Sequence, residues 1–215
     1  MCGRYTVSSS LEKIQKKFKA ALNTDIFKQR FNAAPGQNLP VITDKNPKKI
    51  QLFRWGYIPF WAKDEKIGYR MINARAETVT EKLAYKKAFL EFRCLVTADG
   101  FYEWKRAKGG RVPYRIFMKD EEPFAFAGLW SCCKDVNSFT ILTTEANSLV
   151  GDIHERMPVI LKEEDYTKWL GKNASLKELK DLLRPFDSKK MDAYEVSKIV
   201  NIPSNDFPEV MGPVK

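Results

Sequence analysis

The sequence predicts an α+β fold: a single domain with a curved, barrel-like antiparallel β core and peripheral helices. Three observations predict it. Many short apolar segments have strand composition, helical patterns lie mostly near the two ends, and no repeat, low-complexity run or linker divides the 215 residues. A chain of this length can bury one sizeable core. We therefore expect one domain, residues 1–215, built around its central strands.

The predicted strands follow one another through the middle of the chain. Each is a short run rich in branched and aromatic residues, bounded by turn-forming residues. They cover residues 41–43, 50–55, 93–97, 101–105, 114–118, 124–130, 139–144 and 158–161. Lys108, Gly109 and Gly110 lie between two of these segments and predict a hairpin turn.

Three helices are predicted outside the strands. Ser9 and Glu12 fit a capping box, and apolar residues follow at helical spacing as far as Leu22. Ser175 and Glu178 fit a second capping box, before a helix over residues 176–183 that Pro185 stops. A short helix is expected over residues 165–170.

The composition is that of an ordinary globular protein, with 44% hydrophobic residues, 30% charged residues and a net charge of +10. No run approaches the roughly 20 apolar residues of a membrane span. Lysines interrupt the apolar character of the N-terminus, which therefore does not resemble an export signal. We expect a cytoplasmic protein, and its positive charge is compatible with a nucleic-acid partner.

Three of the four cysteines predict no chemistry. Cys94 lies in an apolar segment, and Cys132 and Cys133 are adjacent. No C-x-x-C pair is present, so neither a metal site nor another cofactor is predicted. The simplest interpretation of these three residues is buried or partly buried thiols in a reducing compartment.

Cys2 is the first candidate for chemistry. Removal of Met1 would give it a free α-amine, with a pKa of roughly 7.7–8.0, beside a thiol with a pKa of about 8.5. An amine and a thiol on adjacent carbons can trap an aldehyde, first as a Schiff base and then as a five-membered thiazolidine ring. A cysteine at position 2 is weak evidence alone, because many proteins have one by chance.

Two further residues are candidates for proton transfer. His154 is the only histidine, and a lone histidine is more often structural, yet no other imidazole could titrate near neutrality. Glu103 lies among Phe101, Tyr102 and Trp104, where partial burial would raise the pKa of a carboxyl. From spacing alone, a surface ion pair between Glu103 and a lysine is the favoured alternative.

Other candidates have polar or aromatic side chains suited to DNA. Asn73 could orient a substrate hydroxyl or a backbone group, and Arg75 could hold a phosphate through two hydrogen bonds. Arg156 could add a phosphate contact. Phe60 and Trp61 could stack on bases or belong to the core. The segment from Asn32 to Gly36, which includes Pro35, is interpreted most simply as a turn.

Taken together, these segments resemble one family. The motifs are Met1-Cys2-Gly3-Arg4-Tyr5, residues 32–36, Trp55-Gly56 with Pro59, residues 72–78, 93–95, 98–104 and 154–158, and the ending 200–213. Their order and spacing resemble the SOS-response-associated peptidase family, the abasic-site-processing proteins. The resemblance spans nearly the whole chain, and several motifs at matching distances make it specific.

The resemblance implies roles for named residues. It implies that Cys2 is the nucleophile and that Asn73 positions the sugar and the chain terminus. It implies that Glu103 moves protons during Schiff-base and ring formation, and that His154 contacts phosphate and assists proton transfer, including reversal of the link. Arg4 and Arg75 match family positions that hold backbone phosphates, and Asn32, Pro35 and Trp61 match positions that line the DNA site. Arg156 is a further DNA-binding candidate from its position two residues after His154.

The predicted function is covalent capture of abasic sites in single-stranded DNA, with lyase-like Schiff-base chemistry. It implies a monomer that associates with the nucleoid when it is bound to DNA. The family name also implies autoproteolysis. One alternative is a cysteine peptidase that uses Cys2 with His154, acting on its own terminus or on other proteins. A second is a non-covalent nucleic-acid-binding module in which Cys2 is incidental.

Overall fold

Strands dominate the structure, a computed structural model that describes residues 2–22 and 26–214. The strands are β1 (Arg4–Val7), β2 (Arg30–Ala33), β3 (Asn38–Thr43), β4 (Ile50–Trp55), β5 (Asn73–Arg75), β6 (Arg93–Ala98), β7 (Gly100–Ala107), β8 (Gly110–Met118), β9 (Phe124–Cys133), β10 (Val136–Glu145), β11 (Arg156–Pro158), β12 (Ile160–Leu161) and β13 (Met191–Glu195). The α-helices are α1 (Leu11–Phe18), α2 (Leu83–Glu91), α3 (Ser148–Gly151), α4 (Tyr166–Leu170) and α5 (Leu176–Asp181). Short 3-10 helices cover Glu65–Arg70, Glu163–Asp165, Ser188–Lys190, Lys198–Asn201 and Pro208–Met211.

Five strands close into a barrel in the order β10-β4-β3-β6-β9, and β9 returns to β10. The predicted α+β fold with a barrel-like core is confirmed. One detail of the prediction is wrong, because the barrel is not wholly antiparallel. β4 and β10 run parallel where Arg54 and Trp55 lie opposite Ser138 and Phe139. A long chain segment, from Trp55 to Val136, connects these two strands, so they need no tight hairpin and a parallel pair can close the barrel.

The last part of β10 carries two short strands that extend beyond the barrel. β5 pairs in parallel with residues 141–143, on the same edge of β10 as β4. β11 pairs with residues 143–145 on the opposite edge, beyond β9. Thr143 therefore lies between Arg75 of β5 and Pro158 of β11. This arrangement brings two segments that are distant in sequence to one end of the barrel.

A second, antiparallel sheet has the order β13-β8-β7-β1-β2. It packs on the barrel through aromatic rings: Tyr5 of β1 meets Trp55 edge-on with 5.0 Å between ring centroids, and Phe126 with 5.7 Å. All three side chains are buried. Edge-to-face pairs of this kind add about 0.5–1.5 kcal/mol each beyond the burial of their area. β1, and with it the N-terminus, is thereby fixed against the core.

The predicted elements are present in the structure, but several begin or end at other residues than predicted. All eight predicted strands are present, and the capping box of Ser175 and Glu178 is confirmed. The first helix is capped by Ser10, not by Ser9, because the Ser9 amide donates to Asp99 instead. That helix ends at Phe18, since Lys19 adopts a left-handed conformation with φ 50°.

Two further expectations concern the cysteines and the membrane. Cys94 and Cys133 are buried as predicted, whereas Cys132 is exposed, which corrects the expectation for that thiol. Cys132 lies near the end of β9, where its side chain faces away from the core. Within residues 2–22 and 26–214, no helix is long and apolar enough to cross a membrane.

Candidate active site

Cys2 lies immediately before β1, in the interior of the protein. β1 is held between β2 and β7, which fixes the direction in which the chain start points. The Cys2 side chain is fully buried, and its thiol donates to the Arg4 carbonyl with 3.4 Å between sulfur and oxygen. Burial is the largest cause that raises the pKa of this thiol, and the charge of Glu103 raises it further. The thiol is therefore close to Glu103 and protonated at neutral pH.

Asn73, the first residue of β5, contacts Cys2 directly. Its side-chain Nδ2 donates to the Cys2 carbonyl at 2.7 Å. β5 is held by its pairing with β10 and by the Trp55 indole, whose Nε1 donates to the Ile72 carbonyl at 2.9 Å. Asn73 Oδ1 is buried and has no hydrogen-bond partner among the described residues. A buried amide oxygen without a partner is costly, and such an atom near a nucleophile suits contact with a ligand.

Glu103 projects from β7, the strand that lies beside β1. Its side chain is only 2% exposed, and burial raises its pKa to about 7. The surface ion pair with a lysine that was favoured from spacing alone therefore does not describe this residue. A carboxyl group with a pKa near 7 is populated in both forms at neutral pH, so it can both accept and release a proton.

His154 lies between α3 and β11 and lines a cavity together with Glu103. The cavity has a volume of about 450 Å³, and both side chains line it. The amide nitrogen and the carbonyl oxygen of Arg156 both lie within hydrogen-bond distance of His154 Nδ1, at 3.0 and 3.2 Å, so the Arg156 backbone orients the ring. Burial lowers the pKa of His154, which keeps the imidazole neutral at pH 7.

The four residues predicted to be catalytic are therefore brought to one end of the barrel. Asn73 hydrogen-bonds to Cys2, Glu103 interacts electrostatically with the Cys2 thiol, and His154 shares a cavity with Glu103. They come from four separate places in the chain: the start of β1, β5, β7 and the loop before β11. A cavity of about 830 Å³ between α1 and α4 is larger but contains none of them.

The three predicted phosphate-binding arginines have different environments. Arg75 is exposed on β5. Arg4 is half-buried, its Nε has no hydrogen-bond partner among the described residues, and burial lowers its pKa. Arg156 is already engaged: its guanidinium holds both oxygens of Glu77, at 2.7 and 2.9 Å, and donates to the Thr143 carbonyl at 2.7 Å. Binding of phosphate by Arg156 would have to compete with Glu77.

Asn32 is buried, and its amide is used within the protein. Its Nδ2 donates to the carbonyls of Val200, Ile202 and Asn205 at 3.0–3.1 Å. The side chain therefore fastens the C-terminal segment to β2, and it is not available for direct contact with DNA in this arrangement. Pro35, by contrast, is partly exposed in the turn after β2.

Three aromatic rings are exposed in the segment between β4 and β5. Phe60 is 65% exposed, Trp61 53% and Tyr69 58%, so all three are accessible for stacking. Tyr69 was not predicted from the sequence. Its ring lies against Gly36, which has φ +88°, and a Cβ added to that glycine would come within 3.1 Å of the ring. No local sequence signal indicated Tyr69, because its contact with the Pro35-Gly36 turn joins two distant parts of the chain.

A family model described as SOS response associated peptidase (SRAP) matches residues 1–203. The chain belongs to this family. The resemblance predicted from the motifs is thereby confirmed, and it extends over nearly the whole sequence.

Relatives of this SRAP-family chain carry a common name. It is 45% identical to "Abasic site processing protein YoqW" of Bacillus subtilis over 221 residues, which cover 98% of this chain and 99% of that protein. It is 31% identical to "Abasic site processing protein HMCES" of Xenopus tropicalis over 230 residues, which cover 89% of this chain and 68% of that protein. The SRAP family is thus one of abasic site processing proteins.

Solved structures share the fold of this SRAP domain. A protein from Bacteroides thetaiotaomicron superposes with a TM-score of 0.90 at 30% identity, and all of both chains is covered. A protein from Bordetella bronchiseptica superposes with a TM-score of 0.80 at 27% identity, covering 91% of this chain and all of that one. The fold described above is therefore shared along the whole chain.

Proposed function

We propose that this protein captures abasic sites in single-stranded DNA by forming a thiazolidine between Cys2 and the ring-opened deoxyribose. The observation that carries the proposal is the hydrogen bond from Asn73 to the Cys2 carbonyl. It holds the N-terminal residue in a buried position, with its thiol near Glu103. The proposal requires removal of Met1, because the Cys2 nitrogen must be a free amine.

The reaction releases one water molecule in all. The Cys2 amine adds to the aldehyde carbon of the abasic sugar, and loss of water from the resulting carbinolamine gives a protonated imine. The Cys2 sulfur then adds to the same carbon, and its proton is transferred, so that a neutral thiazolidine nitrogen results. Ring closure is intramolecular and is favoured by the fixed position of both groups.

Glu103 is the group that we propose to move these protons. Formation of the imine needs an acid for the departing water, and addition of a protonated thiol needs a base. One carboxyl with a pKa of about 7 can serve in both steps. The raised pKa of Cys2 makes such a base necessary, since little thiolate is present beforehand.

His154 is proposed to contact a phosphate or the sugar through Nε2. Its Nδ1 contacts the backbone of Arg156, which fixes the direction of the ring. An oriented imidazole in the cavity of Glu103 can also take up a proton from solvent and, as the imidazolium, pass it to the link when the link reverses. We therefore assign His154 to phosphate contact and to release, separately from ring formation.

DNA on either side of the lesion is proposed to contact further side chains of the protein. Arg4 and Arg75 would hold phosphates, and Pro35 and Trp61 would meet the bases. The unpartnered Nε of Arg4 supports a phosphate contact, because a buried guanidinium favours an anion. Asn32 would contribute indirectly, through the C-terminal segment that it fastens.

A denaturing gel tests the proposal. Wild-type protein should form a band with abasic single-stranded DNA that survives denaturation, and the Cys2→Ala variant should form none. Cys132→Ala is the matched control, because it removes an exposed thiol and should leave the band unchanged. Intact mass should show loss of Met1 in the reactive protein. Absence of the wild-type band, or its persistence in Cys2→Ala, contradicts the proposal.

The peptidase alternative receives less support from the same geometry. A cysteine peptidase activates its nucleophile as a thiolate, usually beside a histidine. Here burial raises the pKa of the Cys2 thiol, and that thiol donates to a backbone carbonyl. These features favour addition to an imine, with Glu103 as the proton acceptor, over attack on a peptide bond.

A further inference from the structure

The hairpin formed by β7 and β8 carries a concentration of positive charge at its tip. Residues 104–119 contain six basic and no acidic residues. We call residues 105–111 the basic hairpin; its cations are Lys105, Arg106, Lys108 and Arg111, and all four are exposed. The turn itself is the two-residue connection predicted from the glycines, with Ala107 opposite Gly110.

Two arginines of the basic hairpin face each other. Arg106 lies directly opposite Arg111 in the antiparallel register. Like charges in such a pair are destabilising, and salt or a bound anion relieves the repulsion. Among the described residues, neither arginine forms an ion pair with a carboxylate. Repulsion between the two arginines therefore destabilises the hairpin in the protein alone, and a bound anion would reduce that repulsion.

The basic hairpin borders the candidate active site. Lys105, Arg106 and Arg111 line the same 450 Å³ cavity as Glu103 and His154. The charge of Arg106 contributes to the lowered pKa of His154, and the charge of Arg111 opposes the rise in the pKa of Glu103. Asp152 and Glu155 also line the cavity, beside His154, so the positive charge is confined to the hairpin wall.

We propose that the basic hairpin binds the phosphodiester backbone of the DNA strand on one flank of the abasic site. This inference rests on the proposed function, since it names the partner of the same cavity. A strand whose sugar reaches Cys2 must leave the cavity along one of its walls. The hairpin wall offers two adjacent guanidinium groups, which suit phosphate oxygens. On the other wall, Asp152 and Glu155 would repel phosphates other than the one that His154 contacts.

The first test measures non-covalent binding, so that it does not depend on the chemistry of Cys2. In a Cys2→Ala background, Arg106→Gln with Arg111→Gln is compared with Lys172→Gln with Lys177→Gln. The second pair removes the same charge from exposed positions outside the cavity. Affinity for a single-stranded oligonucleotide is measured over a range of salt concentrations by fluorescence anisotropy.

Replacement of the two arginines should weaken binding about tenfold at low salt. It should also make the slope of log K against log salt less steep by about 1.4, since each of two lost single-strand phosphate contacts contributes about 0.7. The lysine pair should leave both unchanged. Equal behaviour of the two pairs, whether both weaken binding or neither does, overturns the proposal.

The second test locates the flank and separates this proposal from the previous one. Cross-linking rates are compared for oligonucleotides with the abasic site in the centre, at the 5′ end or at the 3′ end. Replacement of the two arginines should slow cross-linking to the central abasic site and to the site at one end. For the site at the other end, the variant and wild type should cross-link at the same rate. A penalty that persists with both ends overturns the assignment to one flank.

A phosphate-free aldehyde supplies the control for chemistry. Free 2-deoxyribose should form the Cys2 adduct equally fast, by intact mass, in wild type and in the Arg106→Gln, Arg111→Gln variant when each is measured at its own pH optimum, because the two charges also act on the pKa values of His154 and Glu103. If wild type forms no adduct with either sugar or DNA, the proposed function fails, while the binding test still decides the role of the hairpin. If the variant is slow with free deoxyribose as well, the arginines act on the chemistry, and the proposal is overturned.

Discussion

Two clusters of buried polar groups flank the second sheet, and they differ in how completely they are hydrogen-bonded. At the outer edge, Asp206 accepts from Arg30 and from the amides of Phe31 and Asn32, at 2.7–3.0 Å. Asn32 in turn gives its Nδ2 to three carbonyls of the C-terminal segment. This cluster, which we call the Asp206 cluster, directs most of its polar groups to partners within the protein; Asn32 Oδ1 is the one of these atoms that is buried without a partner among the described residues.

The candidate active site is the less satisfied of the two. Around Cys2, the described residues offer no partner for Asn73 Oδ1 or for Arg4 Nε, although both atoms are buried. Burial also raises the pKa of Glu103, which shows that the site disfavours its charged form. A satisfied cluster stabilises the fold, whereas an unsatisfied one retains capacity for a ligand and costs stability. The comparison therefore supports the proposal that the site around Cys2 binds a ligand, whereas the Asp206 cluster holds the fold together.

Substitution of Glu103 should have the largest effect: it should lower the cross-linking rate and raise the stability of the folded protein. Glu103→Gln removes proton transfer and should slow cross-linking about 100-fold, while binding to DNA changes little. A carboxyl whose pKa rises from 4.5 to about 7 on folding stabilises the protein below pH 4.5, and that contribution is lost as pH rises through 7. The variant should therefore be more stable than wild type at pH 8, by about 2–3 kcal/mol, and should lose this advantage at pH 4.5.

Single-turnover cross-linking and urea unfolding at the two pH values provide the measurements. Glu178→Gln is a suitable control, because that carboxylate caps an exposed helix and has a lowered pKa. A rate unaffected by Glu103→Gln would remove Glu103 from the mechanism. A variant less stable than wild type at pH 8 would mean that the site is not strained by its carboxylate.

The Asp206 cluster should respond in stability alone. Asp206→Ala leaves the buried amides of Phe31 and Asn32 without an acceptor, and each unsatisfied amide costs about 1–3 kcal/mol, partly regained by water. We expect a loss of about 2–3 kcal/mol in the free energy of unfolding, measured in urea. Asp181→Ala, at an exposed position on α5, should change stability by less than about 0.5 kcal/mol.

Cross-linking by the folded Asp206→Ala protein should keep its wild-type rate at saturating DNA. A large loss of that rate would show that the C-terminal segment supports catalysis directly. One contact could carry such an effect: the Trp104 indole, which borders the active-site cavity, donates to Asn201 Oδ1 at 2.8 Å.

The sequence predicted the barrel better than it predicted the second sheet. The barrel strands are runs of branched and aromatic residues that are buried along most of their length, so their composition alone marks them. β1, β2 and β13 were missed because they are short and depend on partners far away in sequence. α2 was missed because Leu83 and Leu90 are exposed and Lys82 gives no side-chain cap, which leaves a weak helical pattern.

In the candidate site, the residues themselves were predictable from the sequence, whereas their contacts with residues far away in the chain were not. Residue type and motif indicated Cys2, Asn73, Glu103 and His154, and the structure brings these four residues together. The engagement of Arg156 by Glu77 was not predictable, since the two residues are 79 positions apart. The same holds for Asn32 and the C-terminal segment, about 170 positions away. Pairs of this kind arise from the closure of the sheets and leave no periodic trace in the sequence.

Asn73 should show the smallest of the three effects. Asn73→Ala removes the hydrogen bond to the Cys2 carbonyl, and the N-terminal residue loses its fixed position. Cross-linking should slow about tenfold, which corresponds to the roughly 1.4 kcal/mol expected for one positioning hydrogen bond. Stability should change by less than about 1 kcal/mol, because the amide oxygen that is also removed has no partner among the described residues.

Asn73→Asp sharpens this prediction, because it keeps the size of the side chain but replaces the donor with an acceptor. It should be slower than Asn73→Ala, since a carboxylate would face the Cys2 carbonyl and repel a nearby phosphate. The matched control is Asn137→Ala, which removes an amide from the opposite end of β10. If Asn73→Ala unfolds the protein as readily as Asp206→Ala does, the two clusters are equally structural, and the distinction between them is wrong.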